Sequence, residues 1–82
     1  MKYRIEYDII GTEHTGNGSK EFEAKTDKEA SSQVERICQE AKAKINKGID
    51  NQFWHFGVCF HRLVRIEQPE VSIEIKIPPF SV

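Results

Sequence analysis

One segment, from Thr26 to Gly48, carries a start signal, a helical period and a stop signal that agree, and the rest of the chain has to fit around the helix it predicts. Thr26 followed three residues later by Glu29 has the form of a capping box. In that motif the threonine oxygen accepts from an orphan backbone N–H and the carboxylate reaches back to the cap's own N–H. Asp27 and Glu29 also sit where the positive end of the helix dipole favours acids. Downstream, Ala30, Val34, Ile37, Cys38, Ala41 and Ile45 recur at offsets of three and four, which draws one apolar stripe. Lys28, Glu35, Arg36, Gln39, Lys42 and Lys47 fall on the opposite side. Lys42, Lys44 and Lys47 suit the negative end, and Gly48 supplies a residue able to turn left-handed and stop the helix. The stripe is narrow and partly alanine, so its partner is flat: a sheet.

The flanking segments supply that sheet. From Lys2 to Ile9, Tyr3, Ile5, Tyr7 and Ile9 alternate with Lys2, Arg4, Glu6 and Asp8, the pattern of a half-buried strand. Gly11 to Ser19 is a run of turn formers and predicts a long loop. Alternation resumes from Lys20 to Lys25, with Phe22 and Ala24 inward. After a short loop at Ile49 to Gln52, Trp54, Phe56, Val58, Phe60, Arg62, Val64 and Ile66 share one parity, and from Val58 onward that parity is expected to face the helix. Phe53, His55, Cys59, His61, Leu63, Arg65 and Glu67 share the other, with Gly57 the expected place for a bulge. Gln68-Pro69-Glu70 reads as a turn, and Val71, Ile73, Ile75 and Ile77 alternate in a last strand that Pro78-Pro79 ends, since proline cannot donate to a ladder. The prediction is one α+β domain over residues 1–82. It is a two-layer sandwich in which a four-stranded antiparallel sheet of order 2-1-3-4 is covered on one face by a single helix.

Composition narrows the function. A chain of 82 residues buries only roughly 60–65% of its unfolded surface, so self-association as a homodimer would help it. With 12 basic and 13 acidic residues the net charge is −1, which offers no global field to draw in nucleic acid or an anionic membrane. No segment approaches the length of a membrane span and the start lacks an apolar signal region, so a cytoplasmic protein is expected.

Few residues invite chemistry. Cys38 lies on the helix stripe and Cys59, by parity, on the far face of the sheet, so the two cannot reach the ~5.5–6 Å Cα separation of a disulfide. Cys59 and His61 share a face as strand metal ligands would, but His55 would lie about 13 Å from Cys59 and no further ligand is placed. A cysteine nucleophile needs a base and an orienting third group, which this pair does not supply. The strand carboxylates alternate with lysine and arginine, and cross-strand charge pairing accounts for them. No catalytic residue, metal or cofactor is therefore predicted, and an enzyme is not expected. Arg62 breaks the inward parity between Phe60 and Val64, and it is expected to lie past the helix end with its guanidinium in water.

The expectation is a small non-catalytic binding protein that meets a protein partner, or a second copy of itself, through the open sheet face, a strand edge or the aromatic loop. Phe53, Trp54 and His55 in the loop, with Leu63 and Arg65 on the open face, are the candidate partner-binding residues. The alternative is single-stranded nucleic-acid binding, with the aromatic loop stacking on bases and Arg4, Lys25, Arg65 and Lys76 on phosphates.

Overall fold

The structure, a computed structural model, describes residues 1–67 and 71–82, so the turn expected at Gln68-Pro69-Glu70 lies outside the described residues. The elements are β1 (Lys2–Ile10), β2 (Thr15–Glu23), α1 (Asp27–Asn46), a single 3-10 turn (Gln52–Trp54), β3 (Gly57–Glu67) and β4 (Val71–Ile75). The strands form one antiparallel sheet of order β2-β1-β3-β4, and α1 covers one face of it. This is the predicted α+β two-layer arrangement. Among the described residues no helix is long and apolar enough to cross a membrane.

The caps place α1 where the sequence puts it. Thr26 Oγ1 accepts from the Glu29 N–H at 3.1 Å, and Gly48 has φ +86° just past the last turn. Ala30, Val34, Ile37 and Cys38 are buried against Tyr3 and Ile5 of β1 and Val58, Phe60 and Leu63 of β3.

Two strand assignments change. The glycine-rich segment Gly16 to Ser19 is not a loop: β2 begins at Thr15, and the connection shrinks to Gly11–His14. Cross-strand pairing overrides local composition here, because Tyr7 lies opposite Gly18 with its ring close enough to exclude a Cβ. The second change is in β3. Arg62 pairs with Glu6 and Phe60 with Tyr7, so His61 is an extra residue and the bulge sits there instead of at Gly57. Past a bulge of one residue the parity inverts.

Leu63, expected on the open face, is therefore 0% exposed in the core opposite Ile5. Arg62 needs no buried partner, because the inversion turns it onto the open face toward Glu6. Val64 is buried without belonging to the core cluster, between Arg4 and Glu74 on its two neighbouring strands. The aliphatic stems of such side chains can cover an apolar residue while their charges stay in water.

Beyond β4 the chain does not leave the sheet at the prolines. It detours through Lys76 to Pro79 and returns, with the Phe60 N–H donating to the Phe80 carbonyl at 2.7 Å and the Val82 N–H to the Val58 carbonyl at 3.0 Å. Phe80 stacks on Phe60 with ring centroids 5.2 Å apart. The detour lies alongside the bulged part of β3, where a regular ladder could not continue.

Candidate functional site

Two loops meet at the end of the sheet where β1 finishes and β3 begins. The turn Gly11–His14 closes with a 2.7 Å bond from the Gly11 N–H to the His14 carbonyl. Against it lies the segment from Asn51 to Phe56. A Cβ at Gly11 would stand 2.5 Å from the Phe56 ring, so only glycine lets that ring settle on the turn.

The aromatic segment is held at several points. Asn46, the last residue of α1, grips the Phe56 backbone with its whole side-chain amide: Oδ1 accepts from the Phe56 N–H at 2.7 Å and Nδ2 donates to the Phe56 carbonyl at 3.0 Å. The Asn51 side chain accepts from the Phe53 N–H at 2.9 Å, and its carbonyl accepts from the Trp54 N–H at 3.0 Å. The His55 ring meets the Ile49 carbonyl through Nε2 at 2.8 Å, and the Thr12 hydroxyl donates to the Phe53 carbonyl at 3.4 Å. Backbone polar groups that would otherwise need water are thereby satisfied within the loop.

On this fixed backbone Phe53 is 81% exposed and Trp54 65% exposed. Together with Phe56, Thr12, Glu13 and His14 they line a cleft of about 280 Å³. Of the residues the sequence singled out, the structure brings Phe53 and Trp54 to this cleft. His55 sits on the same loop with its ring occupied by Ile49. Leu63 and Arg65 lie elsewhere: Leu63 is in the core, and Arg65 is turned by the bulge onto the helix side.

There the Arg65 Nη1 reaches both carboxylate oxygens of Asp27, at 2.9 and 2.7 Å, while its Nε donates to Glu67 at 2.8 Å. The buried Tyr3 hydroxyl donates to the same Asp27 at 2.6 Å. Hydrogen bonds from Tyr3 and then Arg65 hold the Asp27 carboxyl below its ordinary value of 3.8. Burial, and after it Asp27, pushes the Tyr3 phenol above 10.0. This network closes the first turn of α1 and leaves Arg65 committed.

The open face is also internally paired. Arg62 Nη2 contacts both Glu6 oxygens, at 2.9 and 3.1 Å, and Arg4 Nε lies 3.3 Å from Glu6. Hydrogen bonding from Arg62 is the main reason the Glu6 carboxyl is lowered from 4.5. A shallow depression of about 570 Å³ beside these groups is lined by charged and polar residues, including Asp8, Asn17 and His61.

Both thiols are free, as their opposite faces require. Burial, with a smaller contribution from Cys59, pushes Cys38 up to about 11. Cys59 Sγ lies 3.1 Å from the Ser81 hydroxyl. Among the described residues no three His, Cys, Asp or Glu side chains converge as a metal site would need.

Sequence reasoning missed Asn46, Gly11 and Thr12. Asn46 reads as an ordinary polar helix residue, and its role appears only once the chain ahead of β3 folds back along the helix end. Gly11 is one more glycine in a run of turn formers. Comparison of the chain with protein-family models, with curated proteins and with solved structures finds no match.

Proposed function

We propose that this protein is a non-catalytic binding module whose partner is a protein seated on Phe53 and Trp54 at the cleft between the two loops. The observation that carries the reading is the exposure of two large aromatic side chains on a backbone pinned by Asn46, Asn51, His55 and Thr12. An aromatic group left in water by a folded chain is unfavourable by itself. A pinned loop has already lost the conformational entropy that a mobile one would lose on binding, so contact made there is gained at little ordering cost. Tryptophan and its neighbours at the centre of a contact carry most of its free energy.

The alternative, single-stranded nucleic acid, would use the same rings for stacking but needs basic groups free to meet phosphate. Of the four basic residues that would meet phosphate, Arg4 is engaged by Glu6 and Arg65 by Asp27 and Glu67, while Lys25 and Lys76 lie outside the cleft, whose lining holds Glu13 and neither lysine nor arginine; this favours a protein partner.

The test is parallel capture from an extract of the source organism with the tagged protein and its Trp54→Ala variant, each with and without nuclease. We expect a discrete protein that survives nuclease on the native chain and is lost from the variant. Truncating a central tryptophan should weaken the contact by ~2 kcal/mol or more, roughly thirtyfold in Kd. Material released by nuclease would instead install the nucleic-acid reading, and equal capture by both proteins would remove the cleft from the interaction.

A further inference from the structure

The sheet ends on one side in β4, and the physical character of that edge differs from its opposite. Cross-strand pairs place Ile75 beside Leu63, Ile73 beside Arg65 and Val71 beside Glu67, so all three apolar residues of β4 lie on the helix side of the sheet. Ile75 packs onto the core. Val71 and Ile73, farther along, are 53% and 37% exposed, and among the described residues no strand lies beyond β4.

The other edge, β2, is protected. Its helix-side positions opposite Ile9, Tyr7 and Ile5 are Gly16, Gly18 and Lys20, and the one apolar side chain on that side, Phe22 opposite Tyr3, is stacked on the Tyr3 ring. Glycines offer nothing apolar to a docking strand, and an inward-pointing lysine on an edge opposes pairing. β4 carries no such device on its helix side. The edge it offers is short, because Pro78 and Pro79 follow closely and have no N–H to donate.

We propose that two copies of this chain associate through β4, antiparallel about a two-fold axis at Ile73, to make one continuous eight-stranded sheet. In that register Ile73 faces its own copy, Val71 faces the partner's Ile75, and Ser72 faces the partner's Glu74. Every apolar side chain of the strand then meets an apolar one, and no two like charges stand opposite each other. Centring the pair one residue later would set Glu74 against itself, and one residue earlier would leave Ile75 without an apolar mate. The strand is thus complementary to itself in one register, which favours a second copy over an unrelated strand as occupant. The contact is also isologous, so it closes at two subunits, whereas pairing β4 to the β2 edge of another copy would propagate an open array.

Sedimentation velocity on the full chain, across a dilution series reaching into the hundreds of micromolar, tests this. The native protein is expected to sediment as a dimer at the upper concentrations. Ile73→Lys and Ile73→Glu are each expected to lose the dimer, since each sets like charges opposite one another at the axis. An equimolar mixture of the two is expected to regain it, because lysine then faces glutamate; recovery also shows that the variants fold. A native monomer throughout the series would overturn the proposal, leaving the edge to a strand of another protein. So would a dimer indifferent to either substitution, and so would a failure of the mixture to recombine while each variant keeps its native circular dichroism.

Discussion

Leu63 shows how far one residue's surroundings depend on another's. Counted by alternation from Val58 it belongs on the open face; with His61 interposed as a bulge it is enclosed opposite Ile5. Its truncation discriminates the two placements. Leu63→Ala should destabilise the fold by about 2–5 kcal/mol, as removal of an enclosed leucine does, read from urea unfolding midpoints. An effect within about 0.5 kcal/mol, the usual size for a surface position, would return Leu63 to the surface. The sequence did hold a sign of the inversion. Arg62 on an apolar parity is what a strand looks like when its phase slips nearby, and with the slip placed at Gly57 that sign reads instead as an inward arginine reaching water past the helix end. A histidine bulge has no composition signature, because its cause is the ladder with β1 and not the residue itself.

At the level of elements, what was legible were those whose determinants are local. The cap at Thr26, the stripe from Ala30 to Ile45 and the glycine at Gly48 are all contained within α1 and its flanks, and the helix follows them. β2 was not legible between Gly16 and Ser19, since those residues become a strand only by pairing with β1. The candidate site divides in the same way. Exposed aromatics could be anticipated from Phe53 and Trp54, but the clamp that fixes them joins residues ten apart in sequence through a side-chain amide. Asn46→Ala removes both of its bonds to Phe56 and is expected to free the loop while sparing α1 and the sheet. Trp54, the only tryptophan, reports this directly: its fluorescence anisotropy should fall and acrylamide quenching should rise, with far-ultraviolet circular dichroism unchanged. Leaving the Phe56 backbone groups without those partners should also cost about 1–3 kcal/mol of stability. Unaltered Trp54 anisotropy would show that the other pins suffice.

Across the whole molecule, ionisation bears on each face of the sheet separately, through Asp27 at the first turn of α1 on the helix side and through Glu6 on the open face. Asp27 and Glu6 release their protons more readily in the folded chain than in the unfolded one. Their contribution is therefore complete above the ordinary carboxylate values, 3.8 for Asp27 and 4.5 for Glu6, and is lost as pH falls through and below them. Tyr3 has the opposite sense: its raised phenol favours folding below 10.0 and ceases to do so as pH rises beyond its folded value. The urea midpoint should run flat between these limits and decline on both sides. Asp27→Asn should be less stable than the native chain near neutrality, with the gap narrowing in acid; a gap that stays constant to low pH would detach Asp27 from the acid limb. The molecule is also long for its size, 43 Å by 21 Å by 20 Å. The aromatic cleft adjoins the start of β3 at Gly57, whereas β4 pairs with its far half, Leu63 to Glu67. An assembly joined at β4 would consequently display two clefts at a fixed spacing, free of the joint. Such a particle would grip a repetitive or dimeric target with an avidity set by geometry, so that a weak single contact would become a durable double one wherever the target's own spacing matches.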